Sequence, residues 1–536
     1  MTDAPPCGTQ IMHLLRAYGV DLVFGMPGVH TLEAYRGLGA SGLRHIGVRH
    51  EQGAGFMADG YARVSGRPGV CLLITGPGVT NAATPIGQAF SDSVPMLVLS
   101  SVAATGDLGM GRGRLHEITD QARVTAPLTA FSAVAMSPDQ AHELIARAFA
   151  VFATDRPRPV HISIPLDVLT APDPYPLRRR EVRHRPTPDP QALREAADVL
   201  REARRPVIIA GGGSIGGAAE LLALAERLGA AVVPTIAGKG VVPDSHPLAL
   251  ESTLDRAATK DFLATADAVL AVGTELSETD TWVEDRLTFG GPLIRIDIDA
   301  ANLARDYEAA VAILGDARAA LAGILSALGP AVESRGFAGG EEIAQLRLQA
   351  RAQPSTLERK HVRVLDALRR ALPPEGLVFT DMTQIAYTGC ALFPCPGPRR
   401  WFFPAGYGTL GFALPAAIGG KLAAPDKPVV ALVGDGGFQF TLQELGTAVE
   451  QRLPIAILLW NNDSLAMIRD GMVERGIPEI GVNQHNPDFQ ALATAYGCHA
   501  VRPLNLADIE RALKDAFSRD RPTLIEVRED AFYLAD

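Results

Sequence analysis

The sequence contains no long apolar run. None of its hydrophobic stretches reaches the ~18 residues that a membrane-spanning helix needs. The amino terminus also lacks the combination of basic residues and an apolar segment that marks a secretory signal. We therefore expect a soluble, cytoplasmic protein.

The sequence also has no excess of basic residues, and it contains few cysteines. Fifty Lys and Arg against sixty Asp and Glu give a formal charge of −10, which argues against a nucleic-acid partner because binding phosphates requires a basic surface. The five cysteines show no metal-ligand spacing, and most stand beside apolar residues. We predict that they are reduced thiols, as in cytosolic proteins.

The 536 residues are enough for about three domains. Hydrophobic residues make up 47% of the chain, with many Ala, Gly and Val, a composition typical of layered α/β domains with large cores.

A short motif, VGDGGF at residues 433–438, follows an apolar, β-branched segment that is typical of a buried strand. At such a strand end glycine N–H groups can approach a diphosphate, and Asp435 can offer an oxygen ligand to a magnesium ion that bridges the phosphates. An aspartate alone would repel phosphates. The motif therefore predicts a phosphate site that includes a metal ion.

A second apolar strand leads into Asn461 and Asn462. The twenty-four residues between Gly436 and Asn461 are enough for a helix and this strand. Strands of a βαβ unit are parallel, so both asparagines emerge beside Asp435, at the edge where α/β sheets bind ligands. A carboxylate, an amide oxygen and a carbonyl near Ser464, with diphosphate and water, suit magnesium. The alternative is two ordinary turns.

The GDG motif, a gap of this length and then NN resemble the thiamin-diphosphate motif of the 2-oxo acid decarboxylase and acetohydroxyacid synthase superfamily. The resemblance implies thiamin diphosphate and Mg²⁺ as cofactors, with Asp435, Asn462 and the Ser464 carbonyl as metal ligands. The residues that it places around the diphosphate and the metal are Gly434, Asp435, Gly436, Gly437, Asn462 and Ser464.

The first part of the chain alternates helices with short apolar strands, as in a parallel α/β domain. HEQGAGFMADGYAR at residues 50–63 and TGPGVTN at residues 75–81 resemble the pyrimidine-binding domain of the same superfamily. The resemblance makes Glu51 the catalytic carboxyl group that binds N1′ of the aminopyrimidine. Without the resemblance, Glu51 would be interpreted as an ordinary carboxylate on a solvated face, in the first turn of a helix, where the helix dipole favours a negative charge. An apolar crevice would disfavour its ionised form, which suits a group that shares a proton.

A polar loop at residues 112–121 precedes the next helix. In relatives a loop here closes over the thiazolium and, in several decarboxylases, contributes histidines, so His116 is a candidate proton donor. Synthases carry Phe-Gln-Glu where this chain has Leu-His-Glu, which favours a decarboxylase. A solvated surface loop is the alternative. We include Glu117 and Val29 as candidate substrate residues.

A segment rich in Pro and Arg, residues 174–190, predicts a linker before a middle α/β domain. The glycines at 211–217 match the GxGxxG pattern of nicotinamide dinucleotide-binding loops. The next strand, however, ends without the acidic residue that binds a ribose hydroxyl in such sites. The resemblance is to a middle domain that carries FAD in the synthases. Residues 247–254 lack the run that accompanies flavin there, which makes FAD doubtful. Glu278 and Asp280, in an acidic loop, are candidate substrate residues; a solvated rim is the alternative.

The third domain supplies the remaining candidates by resemblance. Thr383, Gln384 and Gly408 match positions around the diphosphate, and Leu410 matches the apolar residue that holds the cofactor bent; core packing is its alternative. Past the metal motif, Ile468 and Asp470 begin a helix where a substrate would lie.

The resemblance covers nearly the whole chain. We expect three doubly wound parallel-sheet α/β domains: a pyrimidine-binding domain at 1–172, a middle domain at 191–330, and a domain at 360–536 that binds the diphosphate and Mg²⁺. Several stretches, such as GVHTLEAYRGL and LLWNNDSLAMIRD, resemble 2-ketoarginine decarboxylases, and carboxylates suit a guanidinium substrate. Alternatives are an acetolactate synthase-like carboligase, a nicotinamide-dependent dehydrogenase and a silent binding protein. The cofactor would bridge subunits of a homodimer or homotetramer.

Overall fold

The computed structural model describes residues 4–282, 286–329, 336–337, 340–352 and 354–535. It contains three sheets of six, five and six strands, and every strand pairing within them is parallel. Within those ranges no helix is both long and apolar enough to cross a bilayer. The predicted fold class is confirmed.

The first domain surrounds a six-stranded sheet. Its strands are β1 (Leu22–Gly25), β2 (Arg44–Gly47), β3 (Gly69–Leu73), β4 (Met96–Val102), β5 (Phe131–Val134) and β6 (Val160–Pro165). Its helices are α1 (Cys7–Ala17), α2 (Leu32–Ser41), α3 (Glu51–Ser65), α4 (Pro77–Asn81), α5 (Ala83–Ser91), α6 (Gln121–Thr125), α7 (Pro138–Thr154) and α8 (Leu166–Thr170).

The middle domain has five strands, which are β7 (Pro206–Ala210), β8 (Ala231–Pro234), β9 (Ala268–Val272), β10 (Leu293–Asp297) and β11 (Val311–Leu314). The helices of this part of the chain are α9 (Pro190–Glu202), α10 (Ala218–Leu228), α11 (Ala257–Leu263), α12 (Glu278–Thr281), α13 (Ala300–Leu303), α14 (Ala317–Leu328) and α15 (Glu341–Ala350). The strand order β11-β10-β9-β7-β8 is the doubly wound order of five-stranded sheets and not the six-stranded dinucleotide order.

The third domain again has six strands, which are β12 (Leu377–Thr380), β13 (Trp401–Phe402), β14 (Val429–Gly434), β15 (Ile455–Asn461), β16 (His499–Val501) and β17 (Thr523–Arg528). Its helices are α16 (Thr356–Ala371), α17 (Gln384–Leu392), α18 (Ala413–Ala423), α19 (Asp435–Phe438), α20 (Leu445–Glu450), α21 (Ala466–Glu474), α22 (Phe489–Ala495) and α23 (Leu506–Ala516).

The first and third domains share one topology. Their strand orders are β2-β1-β3-β4-β6-β5 and β13-β12-β14-β15-β17-β16, which are the same order when each domain is numbered from its own first strand. In each domain the second strand is followed by a helix, α3 in one and α18 in the other. These two equivalent helices pack against each other. Their contact therefore sets how the carboxyl rims of the two sheets are placed relative to each other.

Glycines permit the close approach of α3 and α18. A Cβ atom on Gly60 would lie 2.0 Å from the carbonyl oxygen of Ala416, and one on Gly419 would lie 1.9 Å from that of Met57. Real Cβ atoms do not approach backbone so closely, so the two helices could not pack this way with larger residues.

The glycine-rich segment after β7 also serves close packing. It forms a short 3₁₀ helix, Gly212–Gly217. A Cβ atom on Gly211 would lie 2.1 Å from the carbonyl oxygen of Gly273, which follows β9. The backbones of these two strand ends are therefore in direct contact at the point where the strand order reverses.

Each sheet lies within one of the three ranges expected from the sequence, although the exact boundaries stay a prediction. The linker predicted at 174–190 lacks helix and strand up to the start of α9. The charged sequence at 330–360 predicts a second linker with a helix; this segment falls partly outside the described residues, and its described part contains α15. All five cysteines are buried and unpaired, and burial raises the pKa of each thiol to about 12.

Replacing Gly419 by Ala should destabilise the protein by about 1–3 kcal/mol, because the new Cβ would push α18 away from α3. Thermal unfolding measures the effect. Gly39→Ala is the matched control, since Gly39 is an exposed α2 residue and no atom lies within 4 Å of its ideal Cβ. That change should leave the melting temperature unchanged or raise it. Equal melting temperatures for both variants would contradict the packing role of Gly419.

Candidate active site

The carboxyl ends of β14 and β15 bring the metal motif together. The two strands pair in parallel, with Gly434 opposite Trp460, so Asp435 and Asn461 follow at the same edge. Asp435 is buried; its two oxygens accept hydrogen bonds from the Gly436 N–H at 3.0 Å and from Asn486 Nδ2 at 2.7 Å. Burial raises the pKa of this carboxyl group.

Asn462 carries an acceptor that has no protein partner. Its Nδ2 donates to Glu529 Oε2 at 3.2 Å and to Gln384 Oε1 at 3.4 Å. Its Oδ1 is buried and accepts no hydrogen bond. A buried oxygen without a donor is costly, and a cation would satisfy it. The oxygen donors of Asp435, Asn462 and Ser464 therefore fit Mg²⁺, which prefers carboxylate, carbonyl and water ligands.

Asn486 could not be identified as a site residue from the sequence, because no short motif connects it to the two strand ends. Its Nδ2 lies 2.7 Å from Asp435 Oδ2, 3.1 Å from Asn461 Oδ1 and 3.1 Å from Asp463 Oδ1. This single amide thus gathers three acceptors from two strand ends. It belongs to the segment that also pairs with Ser464, whose hydroxyl donates to the Val482 carbonyl at 3.1 Å.

The residues predicted around the diphosphate meet at the same edge. A Cβ atom on Gly434 would lie 2.8 Å from Thr383 Oγ1, and one on Gly437 would lie 2.8 Å from Asp381 Oδ2 and 3.5 Å from Leu410. Glycine is needed at both positions for this approach.

Asp381 is a second residue that sequence reasoning missed. Both carboxylate oxygens accept from the Gly411 N–H at 3.0 Å, so Asp381 fixes the loop that carries Gly408 and Leu410. Gly408 has a left-handed backbone, with φ of 65°. Burial raises the pKa of Asp381 to about 7.

Glu51 stands at the rim of the first sheet, as the first residue of α3. It is buried, and its Oε2 accepts a hydrogen bond from Asn81 Nδ2 at 2.9 Å. A Cβ atom on Gly78 would lie 3.5 Å from its Oε1. The TGPGVTN segment therefore surrounds the predicted catalytic carboxyl group.

Glu444 connects the start of α3 to the third domain. Its carboxylate accepts hydrogen bonds from the backbone N–H groups of Arg49 and His50, both at 3.0 Å, and from Thr447 Oγ1 at 2.7 Å. A Cβ atom on Gly53 would overlap it. Burial raises the pKa of Glu444 to about 7.

The loop that carries His116 is held by its own acidic residues. Glu117 accepts from the backbone N–H groups of Arg112 at 3.1 Å and Arg114 at 2.9 Å, and these bonds lower its pKa. Asp107 pairs with both arginine side chains. The Glu117 carboxylate therefore organises the loop, and its predicted contact with substrate stays a prediction.

Gln121 ties this loop to the sheet. Its amide accepts from the Gly76 N–H at 2.8 Å and donates to Ser100 Oγ at 2.9 Å, Ser101 O at 2.8 Å and Ser163 Oγ at 3.0 Å. Beneath the loop lies a cavity of about 280 Å³. The Gln121 side chain therefore holds the backbone of Gly76, the second residue of the TGPGVTN segment.

Comparison with known proteins identifies the family of this chain. Family models of thiamine pyrophosphate enzymes match at residues 7–124 (N-terminal TPP binding domain), 193–324 (central domain) and 381–527 (C-terminal TPP binding domain). The chain belongs to the thiamine pyrophosphate enzymes. Its cofactor is thiamin diphosphate, and Mg²⁺ is the usual partner metal in this family.

Three relatives of this thiamine pyrophosphate enzyme span nearly all of it. A probable 2-ketoarginine decarboxylase from Pseudomonas aeruginosa is 53% identical over 97% of this chain and 93% of its own length. The acetolactate synthase large subunit of Corynebacterium glutamicum is 34% identical over 97% and 86%. The isozyme 1 large subunit of Escherichia coli acetolactate synthase is 31% identical over 97% and 93%.

The acidic loop of the enzyme's middle domain reaches towards the third domain. The ring of Trp282 lies 6.2 Å from that of Tyr387, one turn along α17 from Gln384. Asp280 is held within the middle domain, because its oxygens accept from the Ile236 N–H at 3.1 Å and Ser277 Oγ at 3.2 Å. Glu278 is exposed. Trp282 carried no recognisable signal in the sequence.

The other predicted substrate residues line the outer surfaces of the two rims. Val29 and Ile468 are exposed, and Asp470 pairs with Arg469 at 2.9 Å. In place of the flavin-associated run, Glu251 is buried and paired with Arg351, with Nε to Oε2 at 2.9 Å. The roles of individual residues and the doubt about FAD stay predictions.

Glu444→Gln should change how stability depends on pH. A carboxyl group with a pKa of about 7 when folded and 4.5 ordinarily binds its proton more tightly in the folded protein, so its stabilising effect is lost as pH rises from about 4.5 to 7. The melting temperature of Glu444→Gln, relative to wild type, should therefore increase between pH 5 and pH 8. Exposed Glu474→Gln is the control, and a difference that does not vary with pH would disprove the assignment.

Proposed function

We propose that this thiamine pyrophosphate enzyme decarboxylates a 2-oxo acid, converting 5-guanidino-2-oxopentanoate to 4-guanidinobutanal and CO₂, in the cytoplasm. The observation that carries the proposal is 53% identity, over 97% of the chain, to a probable 2-ketoarginine decarboxylase. The edge that carries Asp435 and Asn462, together with the buried Glu51, would supply the two ends of the cofactor site that this reaction requires.

When bound, thiamin diphosphate would supply a carbon nucleophile for the 2-oxo group and a cationic ring able to accept an electron pair. Asp435, Asn462 and the Ser464 carbonyl would hold its Mg²⁺. Glu51 would bind the aminopyrimidine and share a proton with it. The burial of Glu51 supports this role, because the carboxyl group is kept from bulk water and keeps Asn81 as a neutral partner.

The guanidinium end of the substrate requires an anionic or aromatic partner. Glu278 is an exposed carboxylate, and Trp282, four residues later, is half exposed beside Tyr387. A planar guanidinium pairs with a carboxylate and stacks on an indole. We propose Glu278 and Trp282 as its partners, with Asp280 orienting their loop from within the middle domain.

We propose that two copies of the chain share each site, in a homodimer or homotetramer. Glu51 and Asp435 belong to different sheet rims, and both rims expose apolar side chains. On the first domain these are Val29, Leu32, Met110 and Leu115, and on the third they are Met467, Ile468, Val473, Ile477 and Ile480. Burying such surfaces between copies would stabilise an assembly.

A carboligase is the second candidate. Acetolactate synthase large subunits are 31–34% identical over about 97% of the chain. This function would join the product of the first 2-oxo acid to a second 2-oxo acid.

The choice between these functions predicts a substrate ranking. With thiamin diphosphate and Mg²⁺, the purified protein should release CO₂ faster from 5-guanidino-2-oxopentanoate than from pyruvate or benzoylformate. Glu278→Gln should narrow that preference by about tenfold, through the loss of a carboxylate–guanidinium pair worth about 1.4 kcal/mol. Glu143→Gln, on the exposed face of α7, is the surface control. A preference for pyruvate with acetolactate as product would favour the carboligase.

Glu51→Gln should bind thiamin diphosphate but lose at least about 100-fold in turnover, because the amide cannot exchange a proton with the pyrimidine. Cofactor binding is measured by equilibrium dialysis and turnover by CO₂ release. Unchanged turnover would refute the role of Glu51.

A further inference from the structure

A cluster of polar side chains lies in the interior of the first domain. His161, on β6, is at its centre and is completely buried. Its Nε2 lies 2.7 Å from Ser100 Oγ, and its Nδ1 lies 2.7 Å from Thr125 Oγ1. The hydroxyl oxygens of Ser132 and Ser163 lie 3.2 Å from Nδ1 and 3.3 Å from Nε2. Polar groups inside a core are favourable only when they are fully paired, and both ring nitrogens are paired here.

The His161 ring takes part as a neutral group. Burial lowers its pKa to about 4, so the ring carries no charge near neutral pH. A neutral imidazole has one N–H donor and one acceptor nitrogen, whereas a hydroxyl group can donate and accept. The hydroxyl groups on both sides of the ring can therefore pair with it in one consistent pattern, and the cluster fixes positions without carrying a charge.

Gln121 connects this cluster to the rim of the sheet. Its Oε1 accepts from the Gly76 N–H at 2.8 Å, and its Nε2 donates to the Ser101 carbonyl oxygen at 2.8 Å. Its Nε2 also lies 2.9 Å from Ser100 Oγ and 3.0 Å from Ser163 Oγ. The Gly76 N–H can only donate and the Ser101 carbonyl can only accept, so the opposite orientation of the amide would lose both bonds. The surroundings of Gln121 thus impose one orientation on its side chain.

Gly76 leads from this amide to the predicted catalytic carboxyl group. It is the residue that precedes α4, and its φ of 64° lies in the region that favours glycine. Asn81 ends α4, and its Nδ2 donates to Glu51 Oε2 at 2.9 Å. A Cβ atom on Gly78, also in α4, would lie 3.5 Å from Glu51 Oε1. The position of α4 therefore decides where the donor to Glu51 stands.

We propose that Gln121 and His161 are positioning residues for Glu51. Gln121 holds the start of α4 through the Gly76 N–H, and the cluster around His161 holds the Gln121 amide in the orientation that accepts this N–H. In turn α4 presents Asn81 to Glu51. The proposal rests on the role of Glu51 proposed above, and it adds two residues that no motif assigned to the site.

The geometry of Glu51 matters because a proton is shared only between groups within hydrogen-bond distance of each other. A displacement of about 1 Å at a catalytic group can cost on the order of 100-fold in rate. Without the Gln121 acceptor, the buried Gly76 N–H would lack a partner, which is costly enough to displace the start of α4. Loss of Gln121 should therefore impair proton sharing by Glu51 more than it impairs cofactor binding.

The first experiment uses the full-length protein without cofactor. Gln121→Met keeps the length of the side chain but offers no acceptor to the Gly76 N–H. Hydrogen–deuterium exchange, followed by peptide mass spectrometry, should become at least about tenfold faster in residues 75–81, because this bond protects the N–H from exchange. Unchanged exchange in residues 75–81 would overturn the proposal.

Ile162→Val is the matched control. Ile162 follows His161 on β6, so its side chain points to the opposite face of the sheet, where it packs in the apolar core. This change removes one buried methylene group and leaves the polar cluster intact. Exchange in residues 75–81 should stay within about twofold of wild type, since local protection depends on the local hydrogen bond.

The second experiment uses thiamin diphosphate and Mg²⁺ without substrate. NMR after acid quenching measures how fast the C2 proton of the bound cofactor is replaced by deuterium, a reaction that depends on Glu51. The rate should fall at least about tenfold in Gln121→Met and about threefold in His161→Phe, which keeps a ring but removes both ring nitrogens. The dissociation constant of thiamin diphosphate, from equilibrium dialysis, should stay within about threefold of wild type, because the predicted diphosphate and metal residues lie in the third domain.

A milder variant keeps the proposal testable if Gln121→Met does not fold. Ser100→Ala removes only the hydroxyl group that lies between Gln121 Nε2 and His161 Nε2. It should slow C2 exchange by about threefold, as His161→Phe does. Unchanged C2 exchange in both Ser100→Ala and His161→Phe would overturn the role of the cluster.

The remaining outcomes separate this proposal from the proposed function. Equal falls of C2 exchange in Gln121→Met and Ile162→Val would mean general destabilisation, and the positioning role would fail. If wild type does not accelerate C2 exchange over the free cofactor, the role of Glu51 fails and this proposal fails with it. If wild type accelerates C2 exchange but releases CO₂ from no 2-oxo acid, only the proposed substrate class is rejected, and the exchange rates still decide the roles of Gln121 and His161.

Discussion

The contact between α3 and α18 is the constraint on which the rest of the structure depends. The two helices are topological equivalents in domains with the same strand order, and glycines at 60 and 419 let their backbones touch. Glu444 then binds the N–H groups that begin α3. Within one chain, the position of Glu51 is thereby set by the third domain, which also carries the predicted metal motif.

Buried carboxyl groups recur at this core for a common physical reason. Asp381, Asp435 and Glu444 are each largely removed from water and accept backbone N–H groups or an amide. Desolvation opposes their ionisation and the hydrogen bonds favour it. Asp381 and Glu444 orient loops, whereas Asp435 faces the edge that also contains the unpartnered oxygen of Asn462. A cation at this edge would satisfy the Asn462 oxygen and neutralise the Asp435 carboxylate.

The motifs with chemistry at fixed spacing could be found in the sequence. GDG and NN follow strands that are adjacent and parallel, and local spacing is enough to predict that. Glu51 was found through the segment around it. Asn486, Gln121 and Asp381 could not be found, because each bonds to a residue distant in the chain and none has a distinctive neighbour. Their significance depends on which strand ends meet.

By itself the sequence determined three parallel α/β domains, because strand periodicity and glycine-rich turns are local properties. The cofactor class followed from the resemblance of the motifs at 50–63, 75–81 and 433–464 to a known family. Only tertiary structure decided that α3 lies on α18, that Asp280 bonds to the backbone of Ile236 and that Glu117 bonds within its own loop. Those outcomes depend on packing and on competition between hydrogen-bond partners far apart in the chain, and no local pattern records either.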